Sequence, residues 1–124
     1  KETRELISAI GTGNVGLVPD SWHWWQAGDT VEDLLTLTNE EVISVDINDA
    51  PRGVEKNQQV DGQRELPVAT GVIDLKSFLE ALGKIGYDGP VRAEPFNQVL
   101  NQMDNDAACQ ATVEAMKKAF ALVG

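Results

Sequence analysis

At 124 residues and 42% hydrophobic composition, the chain has material for one domain, residues 1–124, with a single core. A formal net charge of −10 excludes a basic nucleic-acid groove and argues against attachment to anionic lipid. A single cysteine excludes an internal disulfide or a zinc knuckle. No apolar run approaches the ~20 residues of a membrane span and no signal-peptide pattern is present, so the expected compartment is the cytoplasm.

Residues 2–11 are polar around Leu6, Ile7 and Ile10, a helical stripe stopped by Gly11 and Gly13. A strand is expected over 15–19, ending at Asp20. Asp29-Thr30-Val31-Glu32-Asp33 reads as a capped helix entry leading into Leu34, Leu35 and Leu37. A second strand is expected over 42–47, carrying Asp46, followed by a polar segment over 49–71 that has no periodicity. A loop of that length is usually functional or disordered. Asp49 lies on its first turn as a residue that orients its neighbours, and Arg64 lies further along it, where it could touch a phosphate.

Asp74 caps a helix carrying Leu75, Phe78, Leu79 and Leu82, which stops near Gly86. Tyr87-Asp88-Gly89-Pro90 is a turn, a third strand runs over about 91–94 to Glu94, and a final helix over about 104–122. In that helix Val113, Met116 and Phe120 read as the core stripe and Cys109 as a small core residue.

The order α-β-α-β-α-β-α, with no internal repeat, indicates an α/β fold with parallel strands. Such sheets place their chemistry at the carboxyl ends of the strands. Asp20, Asp46 and Glu94 all end apolar runs, so they are expected to converge on one site. Three carboxylates packed together repel unless a cation joins them, and a divalent metal is the economical one. Three strands alone leave two open edges and an uncovered inner face. A closed (β/α)8 barrel takes about 250 residues. The chain therefore reads as the closing part of a (β/α)8 barrel, a partial barrel that the resemblance given next places at its last three βα units preceded by a helix, and it is expected to self-associate into a homo-oligomer.

The pieces also resemble, in order, the sugar-phosphate isomerase/epimerase or xylose-isomerase-like TIM barrels. Asn14-Val15-Gly16-Leu17-Val18-Pro19-Asp20-Ser21-Trp22-His23 is similar to their Asp-x-x-His strand end. Val45-Asp46-Ile47-Asn48-Asp49-Ala50-Pro51-Arg52 is similar to the next strand with its arginine-bearing loop. Leu66-Pro67 through Asp74 resembles the entry to the penultimate helix, and Gly86 through Glu94 the last strand with its terminal Glu.

The resemblance implies a divalent metal, Mn²⁺, Mg²⁺, Co²⁺ or Zn²⁺, held by two Glu, one Asp and one His. Asp20 and Glu94 match the Asp and one Glu, and Asp46 stands where the family carries its His ligand. It is either a ligand in that place or a non-binding replacement. An all-carboxylate shell favours Mg²⁺ or Mn²⁺ over Zn²⁺. Carried over in the same way, Glu94 and His23 are the catalytic candidates. His23, Arg52, Trp22 and Trp24 are the candidates for contact with a small sugar or sugar-phosphate.

The implied chemistry removes a proton next to a carbonyl, as in an isomerase, an epimerase or an inosose dehydratase. The plainer readings are helix caps or ion pairs for the acids and packing for the tryptophans. On that side stands a second function, a non-catalytic truncated paralogue serving as a self-associating binding module.

Overall fold

The computed structural model describes residues 2–124. Its elements in chain order are α1 (Glu2–Ile10), α2 (Ser21–Ala27), α3 (Val31–Leu35), β1 (Val45–Ile47), α4 (Leu75–Lys84), β2 (Val91–Ala93), α5 (Gln98–Asn101) and α6 (Asn105–Phe120), with 3-10 turns at Asn39–Glu41 and Lys56–Gln58. β1 and β2 pair in parallel, Val45 opposite Val91, Asp46 opposite Arg92 and Ile47 opposite Ala93. The expected strand over 15–19 forms as an interrupted third line, with parallel bridges at Leu17–Val42 and Asp20–Asp46. Proline explains the interruption: Pro19 accepts from Asp46 N at 3.0 Å but has no N–H to return, so the ladder cannot run through it.

Successive strand residues alternate faces. Val45 and Ile47 therefore lie under the helices in the core, with Phe78, Leu75 and Leu82 of α4, Leu34 of α3 and Trp22 of α2. Asp46, between them, points to the opposite face. Phe78 is fully buried, worth roughly 2–3 kcal/mol on its own.

The helix starts follow local chemistry. Asp20 accepts from Trp22 N and His23 N, Thr30 and Asp33 form a reciprocal capping box, and Asp74 accepts from Ser77 N. The turn before β2 requires glycine, because a Cβ on Gly89 would come within 2.6 Å of the Tyr87 hydroxyl, which itself donates to Pro90 O.

Two expectations for α6 are corrected. Cys109 is exposed, and Val113 and Phe120 are 42% and 44% exposed. The inward face is Ala115 and Ala119, flanked by Met116 and Leu122. Alanines let α6 lie close against α4, where Ala81 is fully buried, and their weak hydrophobicity hides the stripe from pattern reading. The apolar stripe of α1 is also largely outside, with Leu6 61% and Ile10 51% exposed. α1 is instead tied down by Arg4, which forks onto both carboxylate oxygens of Glu41 at 2.8 and 3.0 Å.

Asp49 anchors both ends of the 49–71 segment. Asp49 is fully buried, and its carboxylate accepts four backbone N–H groups, from Ala50, Thr70, Gly71 and Ile73. Its own backbone pairs antiparallel with Glu65 at 2.9 and 2.8 Å. The bridge to Glu65 brings the neighbouring Arg64 to the end of the sheet.

Candidate metal centre

The register determines which acids meet. Asp20 is bridged to Asp46, Asp46 lies opposite Arg92, and Glu94, two residues after Arg92, returns to the same face. Oxygens of Asp20, Asp46 and Glu94 all lie within 4.8 Å of one another. Asp20 and Asp46 are buried, and the Glu94 side chain is 40% exposed. Asn48, fully buried, braces the cluster: its amide reaches the Glu94 carbonyl at 3.4 Å and its backbone N donates to Ser21 Oγ at 2.9 Å.

Two arginines partly balance the acids. Arg92 forks onto Asp46, Nε to Oδ1 at 2.8 Å and Nη2 to Oδ2 at 2.9 Å. That hydrogen bonding raises the Arg92 pKa above its ordinary value. Arg64, only 2% exposed, places Nη1 between Asp20 Oδ2 at 2.8 Å and Glu94 Oε2 at 3.2 Å. Its Nη2 contacts Asp61 and His23 Nε2, the latter at 3.1 Å. Burial works against the Arg64 charge, but the Asp61 hydrogen bond and the charges of Asp20 and Asp61 outweigh it and raise its pKa. The same contact holds the Asp61 carboxyl below its usual range.

A guanidinium only donates, so in this contact His23 Nε2 takes the acceptor role. Four carboxylates against two guanidiniums leave an excess of two negative charges. A divalent cation suits that excess, and three hard oxygen donors within reach of one another fit such an ion.

The remaining candidates fall at different distances from this cluster. His23 stands beside it with a 61% exposed side chain, its ring edge-on to Trp22 at 5.2 Å. Trp22 is buried beneath, its ring 5.1 Å from the Arg64 guanidinium. Trp24 packs on Phe78 and donates Nε1 to the Thr30 carbonyl. Trp25 lies under Lys56 Nζ at 5.2 Å. Arg52 is not brought to the acids; it donates to the Thr70 carbonyl within the loop.

The loop guanidinium that reaches Asp20 and Glu94 belongs to Arg64, for which loop position is the one signal in the sequence. It reaches the strand ends because the antiparallel bridge between Asp49 and Glu65 carries the residue before Glu65 there. Asn48 had no signal of its own.

The sequence matches the xylose isomerase-like TIM barrel family over residues 1–119. The chain belongs to that family. Its strands are the parallel strands of that fold, present here as a partial α/β layer. It is 29% identical to an inosose isomerase of Bacillus subtilis (strain 168) over 98% of this chain and 45% of that protein. It is also 29% identical to a ketose 3-epimerase of Arthrobacter globiformis, over 78% of this chain and 29% of that one. The solved structure of IOLI protein with a binding zinc atom superposes with a TM-score of 0.83 at 27% identity, covering 93% of this chain and 41% of that one. The chain thus spans less than half the length of the relatives it matches. Among the described residues no helix is long and apolar enough to cross a membrane.

Proposed function

We propose that this chain supplies the closing strands of a divalent-metal-dependent sugar isomerase or epimerase, or of an inosose dehydratase-like lyase, acting on a small sugar or sugar-phosphate. The observation that carries the reading is the convergence of Asp20, Asp46 and Glu94 at three adjacent strand ends, with His23 alongside. Kinship to an inosose isomerase and a ketose 3-epimerase supports the substrate class, and a zinc-bound relative supports the metal.

In this reading Asp20, Glu94 and Asp46 hold the ion, and Mn²⁺ or Mg²⁺ suits the oxygen donors better than Co²⁺ or Zn²⁺. When bound, the cation supplies positive charge for the oxygen that becomes negative as its neighbouring carbon loses a proton. Glu94, whose Oε2 also accepts from Arg64, takes that proton on its carboxylate. The exposed His23 offers a ring nitrogen to a substrate hydroxyl. Trp22 and Arg64, fixed beneath, keep both groups in register.

The test uses the full-length protein, stripped of metal and assayed on inososes and on ketose C3 epimers with each ion restored in turn. Turnover is expected only with metal. Glu94→Gln should lower kcat by about 10²–10⁴-fold. Failure of the wild-type protein to bind any of these ions tightly would overturn the proposal.

A further inference from the structure

We propose that Arg64 is a cation built into the carboxylate cluster. Its charge holds Asp20 and Glu94 together in the metal-free protein and moderates how tightly they take a divalent ion. The second half rests on the metal reading above; the first does not.

Every nitrogen of the guanidinium is engaged. Nε donates to the Asp61 carbonyl at 3.0 Å, Nη1 to Asp20 and Glu94, and Nη2 to Asp61 and His23. Two aromatic rings lie against it, Trp22 at 5.1 Å and Phe96 at 5.0 Å from the guanidinium carbon. The backbone is pinned as well: Arg64 N donates to Phe96 O at 3.0 Å, and its carbonyl accepts from Asn97 Nδ2 at 3.0 Å.

A group clamped in this way cannot swing out when a metal arrives. Both cations must then share Asp20 and Glu94, and their mutual repulsion weakens the metal. The saturated fork also has no donor to spare for substrate, so Arg64 is a positioning residue. Lysine would not replace it, since one ammonium cannot span Asp20, Glu94, Asp61 and His23 at once.

The competing explanation is that Arg64 merely fills the space between two rings. Arg64→Met keeps that bulk and removes the charge. Breaking a buried ion pair leaves an uncompensated buried charge, so the metal-free full-length variant should melt about 10 °C lower. Glu94→Gln added to it should then restore about 4 °C or more, because it removes an acid left without its partner. Space-filling predicts no restoration, and a double variant no more stable than Arg64→Met overturns the proposal. If Arg64→Met fails to fold, a folded double variant supports the proposal and an unfolded one overturns it.

Mn²⁺ titration by calorimetry gives the second readout. Arg64→Met should bind Mn²⁺ roughly tenfold more tightly, because a +1 and a +2 charge sharing Asp20 and Glu94 repel even with water-like screening. The same gain is expected between Glu94→Gln and the double variant, and an unchanged or weaker affinity overturns the moderating role. If the wild-type protein takes none of Mn²⁺, Mg²⁺, Co²⁺ or Zn²⁺, the metal reading fails and the moderating role falls with it. The melting recovery still decides whether Arg64 is the counter-charge.

Discussion

The carboxyl end of the sheet and the N-terminal helix α1 are held by opposite means. At the carboxyl end, Asp49, Asn48, Ser21, Asp20 and Arg64 are all buried and hydrogen-bonded to several partners each. In the first twenty residues, α1 buries none of its side chains, and Val15 and Val18 are each 45% exposed. One region is specified by buried polar groups with several partners each; in the other, the side-chain tie of α1 is Arg4, which bonds Glu41 and Thr36 near the surface. Buried polar networks are costly when broken and therefore fix geometry, whereas exposed pairs give way at little cost. The lesson is that this fold invests its rigidity where the acids must be aimed.

The sharpest way to break the contrast is Asp49→Ala, which strands four backbone N–H groups beneath the loop. A loss on the order of 3–5 kcal/mol in denaturant unfolding is expected, with the Asp61–Arg64 segment released from the site. A loss below ~1 kcal/mol would mean that the loop is held by something else. Next in size, Ala119→Leu should cost about 1–3 kcal/mol by overpacking the close approach of α6 to α4. Phe120→Ala, one residue away on the exposed side, should stay within about 0.5 kcal/mol. The reverse ranking would restore the stripe first read from the sequence.

The smallest effects belong to α1. Arg4→Ala should cost no more than about 1 kcal/mol overall, while hydrogen exchange in α1 speeds up selectively. The Arg4 hydrogen bond lowers the folded pKa of Glu41 from its ordinary 4.5, so this fork contributes stability above that value. The contribution is lost as the pH falls through the folded pKa. Acidification below about 4.5 should therefore loosen α1 before α4, seen as residue-resolved amide exchange, and equal loosening of both would refute the assignment.

Much of this was legible in the chain. An apolar run ending in an acid identifies a strand end wherever parallel strands feed a common face, and Asp20, Asp46 and Glu94 were found that way. Helix caps at Thr30 and Asp74 were legible because capping is local chemistry. What failed was anything decided by long-range pairing. Asp49 and Glu65 are adjacent only through a backbone bridge, so which loop arginine reaches the acids could not be read: Arg52 stays in the loop and Arg64 is buried at the site. Pro19 broke a strand that its apolar neighbours advertised, and the alanines of α6 contributed too little hydrophobicity to outvote Val113 and Phe120.

The exposed thiol on α6 sets what oxidation can do to this molecule. With Cys109 its one cysteine and facing outward, the described chain can form a disulfide only with another molecule, never within itself. Air oxidation of this 124-residue chain would therefore yield a covalent pair joined at α6, or a mixed disulfide with a small thiol, and a reductant would return it to the single chain. The same accessibility makes Cys109 a unique attachment point for a spectroscopic label.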